Sequence, residues 1–164
     1  MRMRAPRWVL ANALVLLLAA QALPAVESSL VGAWRFEKEL DTRADGTRVT
    51  VGPPAGYQGF LLYTADGRMI VQIMPRGRRW RRSAATPEQL RETVEAGDAY
   101  FGRYTIDSSE GTVTHHVEGS LDPSEEGTQL TRRFRLSGDT LVLAGSWEYG
   151  GETLAFEITW SRVK

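Results

Sequence analysis

The two histidines of the chain are adjacent, His115 and His116, in the stretch GTVTHHVEGS at 111–120. Apolar and polar residues alternate here, which predicts a β-strand whose neighbouring side chains point to opposite faces. His115 shares its face with Val113 and Val117, so we expect it to point into the protein and His116 to point to solvent. An inward histidine could bind a ligand, exchange protons in catalysis, or complete the core through hydrogen bonds.

Arg132 is a second polar residue that the alternation places inside the protein. In TQLTRRFRLS (128–137) it shares a face with Leu130, Phe134 and Leu136. A buried arginine needs a partner, because its charge must be compensated. We expect few carboxylates to point inward. Arg132 would then either form a structural ion pair or hold an anionic ligand group, such as a fatty-acid carboxylate, through two hydrogen bonds.

Three more side chains are candidates for the inward face: Tyr104, Tyr100 and Gln72. With His115 and Arg132 they would give an apolar interior with a few convergent polar groups, which is the composition of a small-molecule site. A register shifted by one residue would place His116 and Arg133 inside instead.

A basic segment, PRGRRWRRS, spans residues 75–83. Trp80 lies in it among five arginines: Arg76, Arg78, Arg79, Arg81 and Arg82. Clustered arginines with an aromatic residue suit an anionic membrane surface or phosphate groups. Alternatively, the segment is a solvated loop that pairs with the acidic stretch 118–126. At the mouth of a barrel it would attract acidic amphiphiles.

Composition excludes several classes of protein. The chain has 20 basic and 20 acidic residues, and the region after residue 25 has 17 and 20, so its net charge is about −3. This charge argues against a nucleic-acid binder. The sequence contains no phosphate-binding loop, no dinucleotide fingerprint and no nucleophile elbow, so no cofactor is predicted and none of these motifs assigns a catalytic residue. With two histidines and no cysteine, no metal site is predicted either.

The first 25 residues are typical of a secretory signal peptide. A basic start, MRMRAPR, precedes the apolar run 8–20, which is shorter than a membrane span. Cleavage is expected after Ala22 or Ala25, and the alternative is an uncleaved anchor. We therefore expect a periplasmic or secreted protein with one domain over residues 26–164. Without cysteine, its stability must come from the core.

Short alternating strands and tight turns fill the rest of the chain. The predicted strands are 30–40, 46–52, 59–64, 68–74, 100–107, 112–120, 128–137, 140–146 and 152–163. In the first strand we expect Trp34, Phe36 and Leu40 to share one face, and Glu39 to lie on the other. One helix is predicted at 86–97, where Thr86 is the N-cap and Gly97 the stop.

This pattern predicts an all-β fold, an up-and-down antiparallel β-barrel of about eight or nine strands with one short helix. A barrel of about eight strands can hold one small ligand. The alternative fold is a β-sandwich, which needs longer crossover connections.

The opening GAW at 32–34 resembles the G-x-W element of lipocalins. Five blocks in order resemble the bacterial and fungal lipocalin-like domain family: LVGAWRF, GFLLYTADGRMIVQIM, YFGRYTID, GTVTHHVEGSL and RRFRLSGDTLVL. The resemblance implies a small-ligand barrel. It also implies that Gly32 and Trp34 close the floor and that Arg162, from the last strand, lies over Trp34. The arginine-dense insert 76–82 departs from the family pattern.

Two functional hypotheses follow. The first is an exported, non-catalytic carrier or sensor of a hydrophobic or amphipathic molecule, with an acidic one favoured, bound near Arg132, His115 and Tyr104. The second is an isomerase or cyclase on the same barrel, with His115 as acid/base and Arg132 and Tyr104 stabilising negative charge. A structural envelope protein with a filled barrel is the third reading, because one fold hosts many functions.

Overall fold

The computed structural model describes residues 29–49 and 55–164. The predicted signal peptide, the start of the domain at 26–28 and part of the second predicted strand lie outside the described residues. Within residues 29–49 and 55–164, no helix is long and apolar enough to cross a membrane.

From Gly32 to Arg162 the described residues form nine strands, one α-helix and two 3-10 turns in an all-β architecture. The strands are β1 (Gly32–Thr42), β2 (Arg48–Val49), β3 (Tyr57–Tyr63), β4 (Arg68–Pro75), β5 (Asp98–Asp107), β6 (Thr112–Ser120), β7 (Gln129–Ser137), β8 (Thr140–Tyr149) and β9 (Glu152–Arg162). A 3-10 turn, Arg82–Ala84, and the helix α1 (Pro87–Glu95) lie between β4 and β5, and a second 3-10 turn, Pro123–Glu125, lies between β6 and β7.

Eight of the strands form a closed barrel. Strands β3 to β9 pair with their sequence neighbours in antiparallel order, and β1 pairs with both β3 and β9. Closure removes the free edges that an open sheet would expose. The ninth strand, β2, pairs with the end of β1 outside this ring. The predicted up-and-down barrel is confirmed, and the sandwich alternative is wrong.

Local sequence signals set the turns and the helix start. Gly67 and Gly138 have positive φ values of 80° and 57° in the tight turns after β3 and β7, a conformation that favours glycine. At α1, the Thr86 side chain accepts from the Gln89 backbone N–H while the Gln89 side chain accepts from the Thr86 N–H. This reciprocal pair is a capping box.

A β-bulge in β1 changes which side chains enter the barrel. The pairing with β9 shifts between Phe36 and Lys38. Before the shift Trp34 and Phe36 point inward, and after it Asp41 points inward and is 3% exposed. A bulge adds one residue to a strand, so the alternation of faces is reversed beyond it. The expectation that Leu40 points inward and Glu39 outward was therefore wrong.

Candidate ligand site inside the barrel

A cavity of about 500 Å³ lies inside the barrel. Its apolar lining comes from several strands and includes Val71, Ile73, Leu143, Phe156 and Ile158. Its polar lining includes Glu39, Asp41, Tyr57, Asp98, Tyr100, His115, Arg132 and Trp147. It reaches the surface between the end of α1 and the segment 121–125. The volume is within the range that small-molecule pockets occupy.

Three carboxylates line this cavity, Glu39 and Asp41 on β1 and Asp98 on β5. Glu39 makes no hydrogen bond or ion pair with any described residue, and burial, then the charges of Asp41 and Asp98, raises its pKa to about 7. Burial followed by the charge of Glu125 raises the pKa of Asp98 to about 6, although Arg132 opposes the shift. Asp41 accepts a hydrogen bond from Nε1 of Trp147 at 3.0 Å. Among the described residues, these three carboxylates receive little compensation: one hydrogen bond to Asp41 and the opposing charge of Arg132 on Asp98.

Arg132 points inward from β7, as the alternation predicted, and is half-buried. Among the described residues no carboxylate lies within 4 Å of it, so the structural ion pair is not formed there. Its guanidinium carbon lies 5.1 Å from the centroid of the Phe156 ring. Its Nη1 donates a long hydrogen bond of 3.4 Å to the Thr131 carbonyl. A guanidinium held over an aromatic face still has N–H groups that can donate hydrogen bonds to a ligand.

His115 lies at the inner end of the cavity, 1% exposed. Its Nε2 is 2.6 Å from the Tyr63 hydroxyl and its Nδ1 is 2.8 Å from the Tyr100 hydroxyl. Burial, followed by the nearby charges of Arg132 and His116, lowers its pKa to about 3. A neutral imidazole with both nitrogens occupied completes the core and has no free nitrogen for proton exchange with a ligand. His116 points outward and lies 2.9 Å from the Thr105 hydroxyl.

The other inward candidates divide between three places. Tyr100 is buried and lines the cavity. Tyr104 is also inward, but it lies beyond the cavity, where its hydroxyl donates to the Thr64 carbonyl at 2.9 Å. Gln72 points to solvent, because Val71 and Ile73 on either side of it face the barrel interior. The prediction that Gln72 belongs to the lumen was therefore wrong.

The mouth of the cavity is acidic, contrary to the basic mouth expected from the sequence. Glu95, Asp122 and Glu125 line it. None of the arginines of the basic segment lines the cavity, because the chain leaving β4 turns onto the outer face of the barrel. The stretch 118–126 is not paired with that segment either. Its Glu118 binds two arginines of the barrel wall, Arg68 at 2.6 Å and Arg103 at 3.2 Å.

The opposite end of the barrel is closed. The Arg162 guanidinium carbon lies 4.1 Å from the centroid of the Trp34 ring. Arg162 donates to the carbonyls of Val31 at 3.0 Å and Ser29 at 2.5 Å. Gly32 has a φ of 135°, and a Cβ there would lie 3.0 Å from Nη1 of Arg162. The cation over the indole therefore seals the floor, with a glycine beneath the guanidinium.

Sequence reasoning missed the acidic part of the site. Asp98 lies two residues before Tyr100 on β5, so the same alternation would have placed it inside the barrel. Glu39 and Asp41 gave no such signal, because their orientation depends on the bulge. Among the described residues, no group of three His, Cys, Asp or Glu side chains is arranged to hold a metal ion.

A family match supports this barrel. Residues 31–163 match the family described as the lipocalin-like domain. A crystal structure of the lipoprotein YedD from Klebsiella pneumoniae matches at 16% identity over 86% of this chain and 74% of that chain, with a TM-score of 0.36. No curated protein matches. The family match covers most of the chain, and the chain therefore belongs to the lipocalin-like domain family, whose barrel suggests small-molecule binding.

Proposed function

We propose that this chain is an exported, non-catalytic carrier that binds one small amphipathic molecule inside its barrel. The observation that carries this proposal is the cavity of about 500 Å³, into which Glu39, Asp98 and Arg132 point without forming an ion pair within 4 Å among the described residues. Uncompensated polar groups destabilise a folded protein unless a ligand satisfies them. Export rests on the N-terminal sequence pattern.

The enzyme hypothesis receives less support from the site. It required His115 as acid/base, yet both of its ring nitrogens are hydrogen-bonded to tyrosines and its pKa is lowered to about 3. A general acid/base works best with a pKa near the working pH. The filled-barrel hypothesis is disfavoured by the cavity itself.

The charge of the cavity favours a ligand with a basic group. An acidic ligand was expected because Arg132 would have had few inward carboxylates as partners. The bulge in β1 turns Glu39 and Asp41 inward, so this argument no longer holds. Glu39, Asp41 and Asp98 outnumber Arg132 in the lining. An ammonium group placed among them would compensate their charges and return their pKa values toward the ordinary range. We therefore propose an amine with an apolar tail as the ligand class.

A matched pair of probes tests the sign of this charge. Decylamine and decanoate carry the same chain length with opposite head groups, and Trp147 in the cavity wall reports binding through its fluorescence. Titrations would compare the protein with a Glu39→Gln/Asp98→Asn double variant and with Arg132→Gln. Their controls are Glu37→Gln and Arg133→Gln, which change outward residues on the same strands.

Each result has a separate meaning. Tighter binding of decylamine that is lost in the Glu39→Gln/Asp98→Asn variant supports the amine carrier. Tighter binding of decanoate that is lost in Arg132→Gln overturns the amine and supports an acidic ligand. Absence of binding for both probes, together with an organic extract of the purified protein that contains no bound molecule, would contradict the carrier proposal.

We also propose that the basic segment contacts an anionic membrane surface. Its five arginines, Arg76, Arg78, Arg79, Arg81 and Arg82, form no ion pair with any described residue, and all are exposed. Arginines that are not neutralised within the protein attract anionic lipids. Binding to phosphatidylglycerol vesicles that falls as salt is added would support this contact.

A further inference from the structure

We infer that the outer face of β3, β4 and β5 is a membrane-docking face continuous with the basic segment. This inference rests on the proposed contact of that segment with an anionic membrane. It adds an apolar surface that enters the lipid interface, and it therefore fixes which side of the barrel faces the membrane.

Four large apolar side chains are exposed on this face: Phe60 (56%), Leu62 (36%), Ile70 (51%) and Phe101 (52%). Strand register makes them one surface, because Leu62 pairs with Ile70 and Ile70 pairs with Phe101 across three strands. Phe60 lies two residues from Leu62 on the same side of β3. We call these four residues the apolar patch. A contiguous exposed patch of this kind marks a surface that binds something.

The basic segment lies against the same outer face. Arg76 donates to the Tyr57 carbonyl at 2.6 Å and to Oε1 of Gln58 at 3.5 Å, and Arg78 reaches Sδ of Met74 at 3.0 Å. Gln58 and Met74 are register partners, with outward side chains. The next outward pair along β3 and β4 contains Phe60, the first residue of the apolar patch. It lies two residues along β3 from Gln58, a distance of roughly 7 Å. Basic segment and apolar patch are therefore adjacent.

Trp80 extends this surface at the basic end. It shares a small cleft with Gln58, Pro75 and Arg78, so it lies beside the outward row from which the apolar patch begins. Tryptophan is enriched where an apolar phase meets water. Arginines and an aromatic residue beside an exposed apolar surface form the arrangement that lies in a membrane interface.

Basic residues also border the other end of the apolar patch. Arg68 and Arg103 are register partners in the row beyond Ile70 and Phe101, and both are bound to Glu118. The patch is thus enclosed between the basic segment and a pair of arginines. Insertion of the patch would bring both basic ends to the depth of lipid head groups.

The charge of the face selects an anionic lipid surface over a second copy of the chain. A symmetric dimer through this face would bring two basic segments close together, and like charges oppose such contact. A bilayer that contains phosphatidylglycerol satisfies both parts of the surface, since its head groups are anionic and its interior is apolar.

The test uses the full mature chain with vesicles of phosphatidylcholine, with and without phosphatidylglycerol, in co-sedimentation. The apolar variant is Phe60→Ser/Phe101→Ser, the basic variant is Arg78→Gln/Arg79→Gln/Arg81→Gln, and the control is Tyr149→Ser, an exposed aromatic elsewhere. Because the chain has no cysteine, Phe60→Cys and Tyr149→Cys can each carry one environment-sensitive fluorophore without disturbing the basic segment.

We expect the apolar variant to bind anionic vesicles about tenfold more weakly or worse, with the control unchanged. The fluorophore at position 60 should shift to the blue on these vesicles, and the one at 149 should not. If only the basic variant loses binding and the fluorophore at 60 does not respond, the docking face is wrong while the contact of the basic segment stands. If the unchanged chain does not bind anionic vesicles, both the docking face and the membrane contact of the basic segment are wrong. A dimer that the apolar variant abolishes would assign the patch to a second copy and overturn the inference.

Discussion

The hydroxyl oxygen of Tyr63 lies 2.6 Å from Nε2 of His115, in a part of the core that water does not reach. The Tyr100 hydroxyl meets Nδ1 of the same ring. A neutral imidazole donates from one nitrogen and accepts at the other, so one tyrosine donates to the ring and the other accepts from it. This arrangement fixes the inner end of the cavity and explains why an inward histidine here need not be catalytic.

Tyr63→Phe should lower the free energy of unfolding by about 1–3 kcal/mol, because it leaves Nε2 of His115 buried without a partner. Urea unfolding followed by circular dichroism measures this change. The control, Tyr149→Phe, removes the hydroxyl of an exposed tyrosine and should leave stability almost unchanged. Equal stability of Tyr63→Phe and the unchanged chain would show that this hydrogen bond does not hold the core.

Glu39→Gln should stabilise the protein increasingly as pH rises from 4.5 to about 7. The pKa of Glu39 is raised from 4.5 to about 7 in the folded state, so the native protein keeps a proton that the unfolded chain releases. The proton on Glu39 therefore stabilises the folded protein below pH 4.5, and this stabilisation is lost as the pH rises from 4.5 to about 7. At about 1.4 kcal/mol per pKa unit, the variant should gain on the order of 1–3 kcal/mol.

For Glu39, urea unfolding at several pH values gives the free energy of unfolding of the variant and of the unchanged chain, and the difference between the two is compared across pH. His115 acts in the opposite direction, since its lowered pKa costs stability as pH falls from 6.5 toward about 3. Taking the difference removes this second effect. A difference that is constant with pH would mean that Glu39 titrates normally.

Gly102→Ala should destabilise the barrel by about 1–3 kcal/mol through overpacking. A Cβ at this position would lie 2.0 Å from the His116 carbonyl oxygen and 3.0 Å from the Glu118 nitrogen. The pairing of β5 and β6 shifts just before it, between Phe101 and Gly102, so the backbones approach closely at this point. Thermal unfolding measures the loss, with Thr105→Ser on the same strand as control, since serine keeps the hydroxyl that meets His116. An unaltered Tm would show that the bulge relaxes freely.

The protein recovered after export should lack its first 22 or 25 residues, because small residues precede both expected cleavage positions. Intact mass spectrometry of the exported protein distinguishes the two positions. A mass that corresponds to all 164 residues would contradict cleavage and support the uncleaved anchor.

Regular strands explain why most of the fold was predictable from sequence. In β7, and in β6 as far as Val117, the alternation of faces continues without interruption, so His115 and Arg132 were correctly placed inside. The hairpin turns were readable because glycines such as Gly67 adopt positive φ values there. Each of these signals is local. A local pattern is enough to assign side chains to the inner or outer face when no extra residue is inserted in the strand.

The acidic residues on β1 were not predictable in the same way. In the sequence, Leu40 continues the apolar face of Trp34 and Phe36, so the strand is predicted to be regular. The bulge that turns Glu39 and Asp41 inward is visible only in the pairing of β1 with β9. The hollow interior depends likewise on how side chains from many strands fill the closed barrel. These are properties of the assembled sheet rather than of any one segment.

A cavity-filling variant tests most directly whether a small molecule occupies the barrel. Leu143 lines the cavity from β8, whereas its neighbour Val142 points outward on the same strand. Native mass spectrometry with decylamine would compare Leu143→Trp and Val142→Trp with the unchanged chain, after both variants are shown to be folded. We predict one bound molecule in the unchanged chain and in Val142→Trp, and none in Leu143→Trp. Equal binding in all three proteins, or none in the unchanged chain, would contradict a ligand site inside the barrel.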